Sequence, residues 1–276
     1  MDMSLNKSEA IAFEKLAMSA TMPIFLNSPE LGNALLGTAT LFEIANRYFL
    51  VTASHIFDGF TDKHRENLAF SDDPINGQLH TLGSITIVRP TQEYFDVAVI
   101  ELQDPTTIER MLAGWRFLTL ENVAMPSGTL RDRAFLLAGY PRSNLTPEGG
   151  WVNHGNISGQ FVSAYSQRIP HVPTNADQPV RPDFDIFCDY GFTATNFDGR
   201  EINAPALPGA SGASVWEISD STEGVWNAES AARVVAVQST YREGEYFRAK
   251  SWLAVAKVMK LIDADLAAEI SLRLFS

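Results

Sequence analysis

Three short stretches of this chain carry side chains able to perform acyl transfer. The first, Arg47-Tyr-Phe-Leu-Val-Thr-Ala-Ser-His55, is a β-rich run that ends on a histidine as the chain turns into Ile56-Phe57-Asp58-Gly59. An imidazole at the end of a buried strand is held by rigid backbone yet faces a surface, which suits a general base. Alone, such a residue is more often a satisfied structural histidine. The second, Tyr94-Phe95-Asp96-Val97-Ala98-Val99-Ile100, opens an apolar strand with an aspartate. A buried lone carboxylate is costly unless paired, so Asp96 either has a donor such as an imidazole N–H or ends a wet loop. In the third, Leu207-Pro208-Gly209-Ala210-Ser211-Gly212-Ala213-Ser214, two glycines bracket a serine just before an apolar strand. Glycine lets the backbone turn its N–H groups toward one point. The amides of Gly209 and Ser211 then form an oxyanion hole while the Ser211 hydroxyl, activated by His55, attacks a carbonyl carbon. The bland alternative is a plain turn.

The rest of the sequence has to position these residues. A helix is expected from about Ser8 to Ala20, opened by an Asn6/Glu9 capping box, with Pro23 past its end. From there to about residue 250 the texture is short β-rich runs punctuated by Gly, Pro, Asn and Asp: LFEI, YFLVTAS, SITIV, VAVIEL, AFLLAGY, FDIFCDYG, SVWEI and RVVAVQST. That is the grammar of barrels or sandwiches. Glu121 to Ser127 reads as a linker between two groups of strands, and Pro170 to Pro182 as a long, stiff surface loop. Trp252, Val255, Met259, Ile262 and Leu266 recur at helical spacing between Ser251 and Leu274, which predicts a C-terminal helix with one face docked on the core.

Composition narrows the function classes. The 276 residues are 45% apolar, 20% charged and 11% aromatic, ordinary for a soluble globular chain. A chain of this length buries roughly 75% of its unfolded surface, so it needs neither disulfides nor metal for stability. Cys188 is the single cysteine and cannot form an internal bridge. With Glu9 and Glu14 interrupting the first apolar run, this argues for a cytoplasmic protein. The net charge of −12 repels phosphate backbones and anionic lipid, so neither nucleic acid nor a membrane is an expected partner. No run approaches the roughly 18 apolar residues of a membrane span.

Taken together, the three stretches resemble the trypsin-like, chymotrypsin-fold serine peptidases. Thr52-Ala-Ser-His55 is similar to their Thr-Ala-Ala-His, Asp96-Val-Ala-Val to their Asp-(Ile/Val)-Ala-(Leu/Val), and Gly209-Ala-Ser211-Gly to their Gly-Asp-Ser-Gly. The order His, Asp, Ser also agrees, with separations of 41 and 115 residues. Phe135-Leu-Leu-Ala-Gly-Tyr-Pro141 and Val234-Val-Ala-Val-Gln-Ser-Thr240 extend the likeness over about residues 35 to 262. The resemblance implies an all-β protein of two six-stranded antiparallel barrels, 22–122 with His55 and Asp96 and 123–250 with Ser211. Helical segments at 1–21 and 251–276 would flank them. It implies a serine endopeptidase without cofactor or metal, with a protein or peptide substrate paired along Gln238, Ser239 and Thr240 by β-strand addition. The alternative for the last segment is one more core strand. Ala210 stands where many secreted members have the aspartate that receives a trimmed N-terminus, so activation by trimming is not expected.

Other chemistries fare worse. His64, His80, His154 and His171 show no zinc spacing, Asp72 to Gly77 lacks the distal acid of a calcium loop, and no phosphate-binding glycine motif is present. An α/β-hydrolase would need the order Ser, acid, His. N-x-S/T triplets such as those at Asn144 and Asn156 are frequent by chance, and a cytoplasmic protein would leave them unmodified. Two rivals to the peptidase share its barrels: a catalytically silent scaffold, and an effector module that a regulatory protein partner activates.

Overall fold

Residues 6–28, 32–125, 134–142, 156–158, 161–195, 201–219 and 226–275 are described by the structure, a computed structural model. His154, the Asn144 triplet and the end of the Glu121 to Ser127 linker lie outside them. Helix α1 (Lys7–Ala20) opens as its sequence dictates: the Asn6 side chain accepts from the Glu9 N–H at 2.9 Å, and the Glu9 carboxylate accepts from the Asn6 N–H at 3.1 Å. Its buried face, Phe13, Leu16, Ala17 and Ala20, joins the largest apolar cluster.

Eight strands and two helices follow: β1 (Thr21–Ser28), β2 (Gly32–Ile44), β3 (Arg47–Thr52), α2 (Asp62–Glu66), β4 (Leu68–Ser71), β5 (Asn76–Thr81), β6 (Ile85–Val88), β7 (Ala98–Leu102), α3 (Pro105–Gly114) and β8 (Ala134–Gly139). The first sheet has the order β6-β7-β3-β2-β1-β4-β5 and is antiparallel throughout. Ile85 and Ala98 near one edge share a cluster with Leu68 and Phe70 near the other, so the sheet curls around its own core. Ala45 and Asn46 both have positive φ, 53° and 58°, the two-residue turn that matches the twist of the β2–β3 hairpin.

The remaining elements are β9 (Asn156–Ser158), β10 (Val162–Gln167), β11 (Asp185–Asp189), β12 (Thr193–Thr195), β13 (Glu201–Asn203), β14 (Ser214–Ile218), α4 (Ala228–Ala231), β15 (Ala232–Arg242), β16 (Tyr246–Ser251), α5 (Trp252–Met259) and α6 (Ala264–Leu274). The second sheet, β10-β8-β14-β15-β16-β11, closes on itself: an antiparallel bridge joins Arg168 to Cys188, and the Ile169 N–H donates to the Phe187 carbonyl at 2.8 Å. This is a six-stranded barrel, and the architecture is all-β with two barrels and helices at both ends.

Two details depart from expectation. The first sheet has seven strands of its own rather than six, and β9 adds an eighth along β5. The C-terminal helix is two. Asp263 caps α6 by accepting the Leu266 N–H at 2.9 Å and also pairs with Arg47 at 2.5 Å, which turns the chain between α5 and α6. The apolar spacing runs through the break because Val255, Met259, Leu266 and Ile270 all still reach the same core.

Candidate active site

Strand β3 pairs with β7, Thr52 opposite Ala98, so the residues following β3 and those preceding β7 emerge at the same end of the first sheet. His55 sits there in a short 3-10 turn, Ser54–Phe57. Asp96 sits in the turn before β7 with φ of 38°, a left-handed conformation that few non-glycine residues adopt. Its carboxylate explains how that strain is held. Oδ1 accepts the His55 backbone N–H at 3.0 Å and both oxygens lie 3.0 Å from His55 Nδ1, while Oδ2 also accepts the Ser239 hydroxyl from the second barrel.

The loop that carries Ser211 lies against β2. Thr38 N–H donates to the Ser211 carbonyl at 2.8 Å and Thr38 Oγ1 to the Gly209 carbonyl at 3.2 Å; a Cβ on Gly37 would stand 2.8 Å from that Ser211 oxygen. Ser211 Oγ then lies 2.9 Å from His55 Nε2. The structure therefore brings together His55, Asp96 and Ser211. Within the loop the amides alternate. Those of Ala210, Gly212 and Ala213 donate to Leu207, Gln238 and Ala210 carbonyls, whereas among the described residues no hydrogen bond engages the N–H of Gly209 or of Ser211. Two unengaged amides, two residues apart, thus lie in the loop that carries the serine hydroxyl.

Gly212 is a position where only glycine fits. Its φ is 89°, and a Cβ there would stand 2.0 Å from the Thr38 carbonyl and 2.2 Å from Thr52 Oγ1, which themselves share a 2.6 Å hydrogen bond. Gly212→Ala is expected to lower stability by about 3 kcal/mol or more through backbone strain and overpacking, read as a drop in the denaturant midpoint. An unchanged midpoint would show that the loop can give way.

The electrostatics follow from this geometry. For His55, burial opposes the imidazolium, but the hydrogen bond and the charge of Asp96 outweigh it and raise the pKa above the ordinary 6.5. For Asp96, burial opposes the carboxylate, but the His55 and Ser239 donors and the His55 charge lower its pKa. With Nδ1 facing a carboxylate, the neutral imidazole carries its proton on Nδ1 and presents the Nε2 lone pair to Ser211.

Of the three residues expected along the substrate, only part of the segment is free. Gln238 is buried at 1% exposure, its N–H donating to Ala213 and its carbonyl accepting from Gly212. Ser239 is buried too and its hydroxyl is spent on Asp96. It forms a bulge, since Gln238 pairs with Ala249 but Thr240 with Arg248. Beyond Val237, β15 no longer pairs with β14, while β16 continues alongside it to Arg242.

Sequence reasoning passed over Arg89. Its Nε donates to Ser54 Oγ and one Nη to the Phe57 carbonyl, both at 2.9 Å, while the other pairs with Asp58 at 2.6 Å, so it clasps the turn that carries His55. Nothing in the local pattern of a lone arginine after an apolar strand signals this. A cleft of about 440 Å³ opens beside His55 and Asp96, walled by Arg89–Glu93 and by Asp177–Pro179 of the proline-rich loop. Among the described residues no cluster of three or more His, Cys, Asp or Glu could hold a metal, and no helix is long and apolar enough to cross a membrane.

No protein-family model and no curated protein matches the chain. Among solved structures, it is similar to the HtrA-type protease AlgW with a tripeptide, at 14% identity over 91% of this chain and 62% of that one, with a TM-score of 0.49. It thus spans 62% of AlgW. It is also similar to Deg5, at 12% identity over 92% and 94% of the two chains, and to the inactive form of the Rv3671c protease, at 13% over 92% and 96%, each with a TM-score of 0.46.

Proposed function

We propose that this protein is a serine endopeptidase. One observation carries the reading: an unbroken relay of short contacts from the Asp96 carboxylate through His55 to Ser211 Oγ, in a loop whose Gly209 and Ser211 amides meet no partner among the described residues. His55 Nε2 takes the hydroxyl proton as Oγ adds to the scissile carbonyl, and Asp96 stabilises the imidazolium so formed. The Gly209 and Ser211 N–H groups receive the developing oxyanion. His55 then protonates the leaving amine, and water, deprotonated by the same imidazole, resolves the acyl-enzyme. The substrate backbone would add as a strand along the flank of β15 past Gln238, whose own N–H and carbonyl are taken by Ala213 and Gly212, a mode in which main-chain hydrogen bonds supply affinity.

A fluorophosphonate tests this directly, since it phosphonylates only a serine whose hydroxyl has a base. Folded protein is expected to gain one adduct, on Ser211; well-folded protein that gains none would support the silent scaffold instead. The pH profile follows from the raised His55 pKa. The base must be neutral, so kcat/KM is expected to climb with pH through a one-proton step centred above 6.5 and to fall away on the acid side. A midpoint below 6.5 would contradict the His55–Asp96 coupling.

A further inference from the structure

Behind the Asp96 turn, two cations share one carboxylate. Asp185 at the start of β11 has a fully buried side chain; its Oδ1 accepts Lys250 Nζ at 2.6 Å and Arg248 Nε at 2.9 Å, and its Oδ2 a second Arg248 nitrogen at 2.6 Å. The Lys250 and Arg248 side chains are only 2% and 7% exposed. Arg248 spends another donor on the Asp177 carbonyl in the cleft wall. Lys250 reaches the other way: Nζ donates at 2.7 Å to the carbonyl of Tyr94, two residues before Asp96.

Burying an ammonium is a poor route to stability, because an apolar residue of similar volume commonly serves as well or better. Strand β16 would pack with one, and Arg248 alone would still neutralise Asp185. What an apolar residue would not supply is a charged donor to the Tyr94 carbonyl, next to a turn that holds a non-glycine residue at positive φ. We propose that Lys250 is a positioning residue for the triad: its ammonium, fixed by Asp185, clamps the Tyr94 carbonyl and so holds the left-handed turn that aims Asp96 at His55. Its functional consequence rests on the peptidase reading; the clamp itself does not. A competing support exists in the stacking of Tyr94 and Phe95 on Phe184, with Arg181 over the Tyr94 ring.

An NMR titration of His55 in Lys250→Met separates these. The charged groups facing His55 are Asp96, Asp58 and Arg89; those facing Lys250 are Asp185, Arg248 and Asp96, and Glu93 lines the same cleft. None is altered by the substitution. If the clamp is broken, His55 loses its carboxylate and its pKa falls toward the ordinary imidazole value. If Lys250 acted only as a nearby charge, its removal would raise the His55 pKa, and if stacking holds the turn the pKa would stay put; either result overturns the proposal. The rate of Ser211 phosphonylation is expected to fall by about 10²-fold, the scale of an ångström-level misplacement. Wild-type protein that never reacts would defeat the peptidase reading and leave the titration valid. Lys250→Gln, polar but uncharged, is the second variant, with the same fall expected should the methionine form not fold. Failure of both to fold would assign the ammonium to stability and end the proposal.

Discussion

Ser211→Ala is expected to reduce kcat for peptide hydrolysis by about 10⁶-fold, with the unfolding transition left where it is. Among the described residues the side-chain hydroxyl makes one hydrogen bond, to the part-exposed His55 Nε2, so its loss leaves no buried group unpaired there. The loop keeps its shape through bonds the substitution does not touch: Thr38 to the Ser211 carbonyl, Ala210 to Leu207, and Gly212 to Gln238. In the proposed mechanism Ser211 and His55 act as a unit, so His55→Ala and the double variant should lose about as much as the single one rather than the product of the two. On the same mechanism the turnover that remains is expected from the amides of Gly209 and Ser211, on the order of 10³-fold over water. Steady-state assay of a fluorogenic peptide, alongside thermal unfolding, checks both halves. Turnover by Ser211→Ala at the wild-type rate would remove Ser211 from the mechanism.

The three chemical stretches were readable because each joins a chemically specific residue to an apolar strand that fixes where it emerges: Thr52 to His55 after β3, Asp96 before β7, Ser211 before β14. The helix α1 announced itself through Asn6 and Glu9, which interact locally and so need no tertiary context. Strand β16 did not. Its sequence YFRAKS places Arg248 and Lys250 on what reads as a solvated face, and only Asp185, more than sixty positions earlier, makes their burial tolerable. Ser239 shows the same limit at the site. Its place in the sequence is on the strand expected to line the substrate, but its hydroxyl turns inward to Asp96 across the barrel interface, 143 residues away. The break at Asp263 was hidden for the converse reason, since one apolar period continues across two helices.

Asp96→Asn is the sharper test of the relay, because it replaces one carboxylate oxygen by NH₂ and removes the charge while leaving the side chain's size and shape nearly unchanged. Asparagine is among the few residues that tolerate left-handed backbone, so the turn at φ 38° can persist. An amide cannot match the carboxylate, however. With two acceptor oxygens, Asp96 takes the His55 backbone N–H, the Nδ1 proton and the Ser239 hydroxyl together. In the variant one of those positions is an NH₂ donor, and where it faces Nδ1 it selects the tautomer with the proton on Nε2, pointing at Ser211 and unable to accept from it. The loss expected is about 10⁴-fold in kcat, with KM changed far less because Asp96 meets β15 through the inward-turned hydroxyl of Ser239. His55 also loses its anionic partner, so burial acts unopposed by that charge and its pKa falls below the wild-type value. Kinetics and a His55 titration on the same preparation check the two effects together. A variant that keeps wild-type kcat while its His55 pKa falls would separate the carboxylate from catalysis and reduce Asp96 to an anchor for the turn.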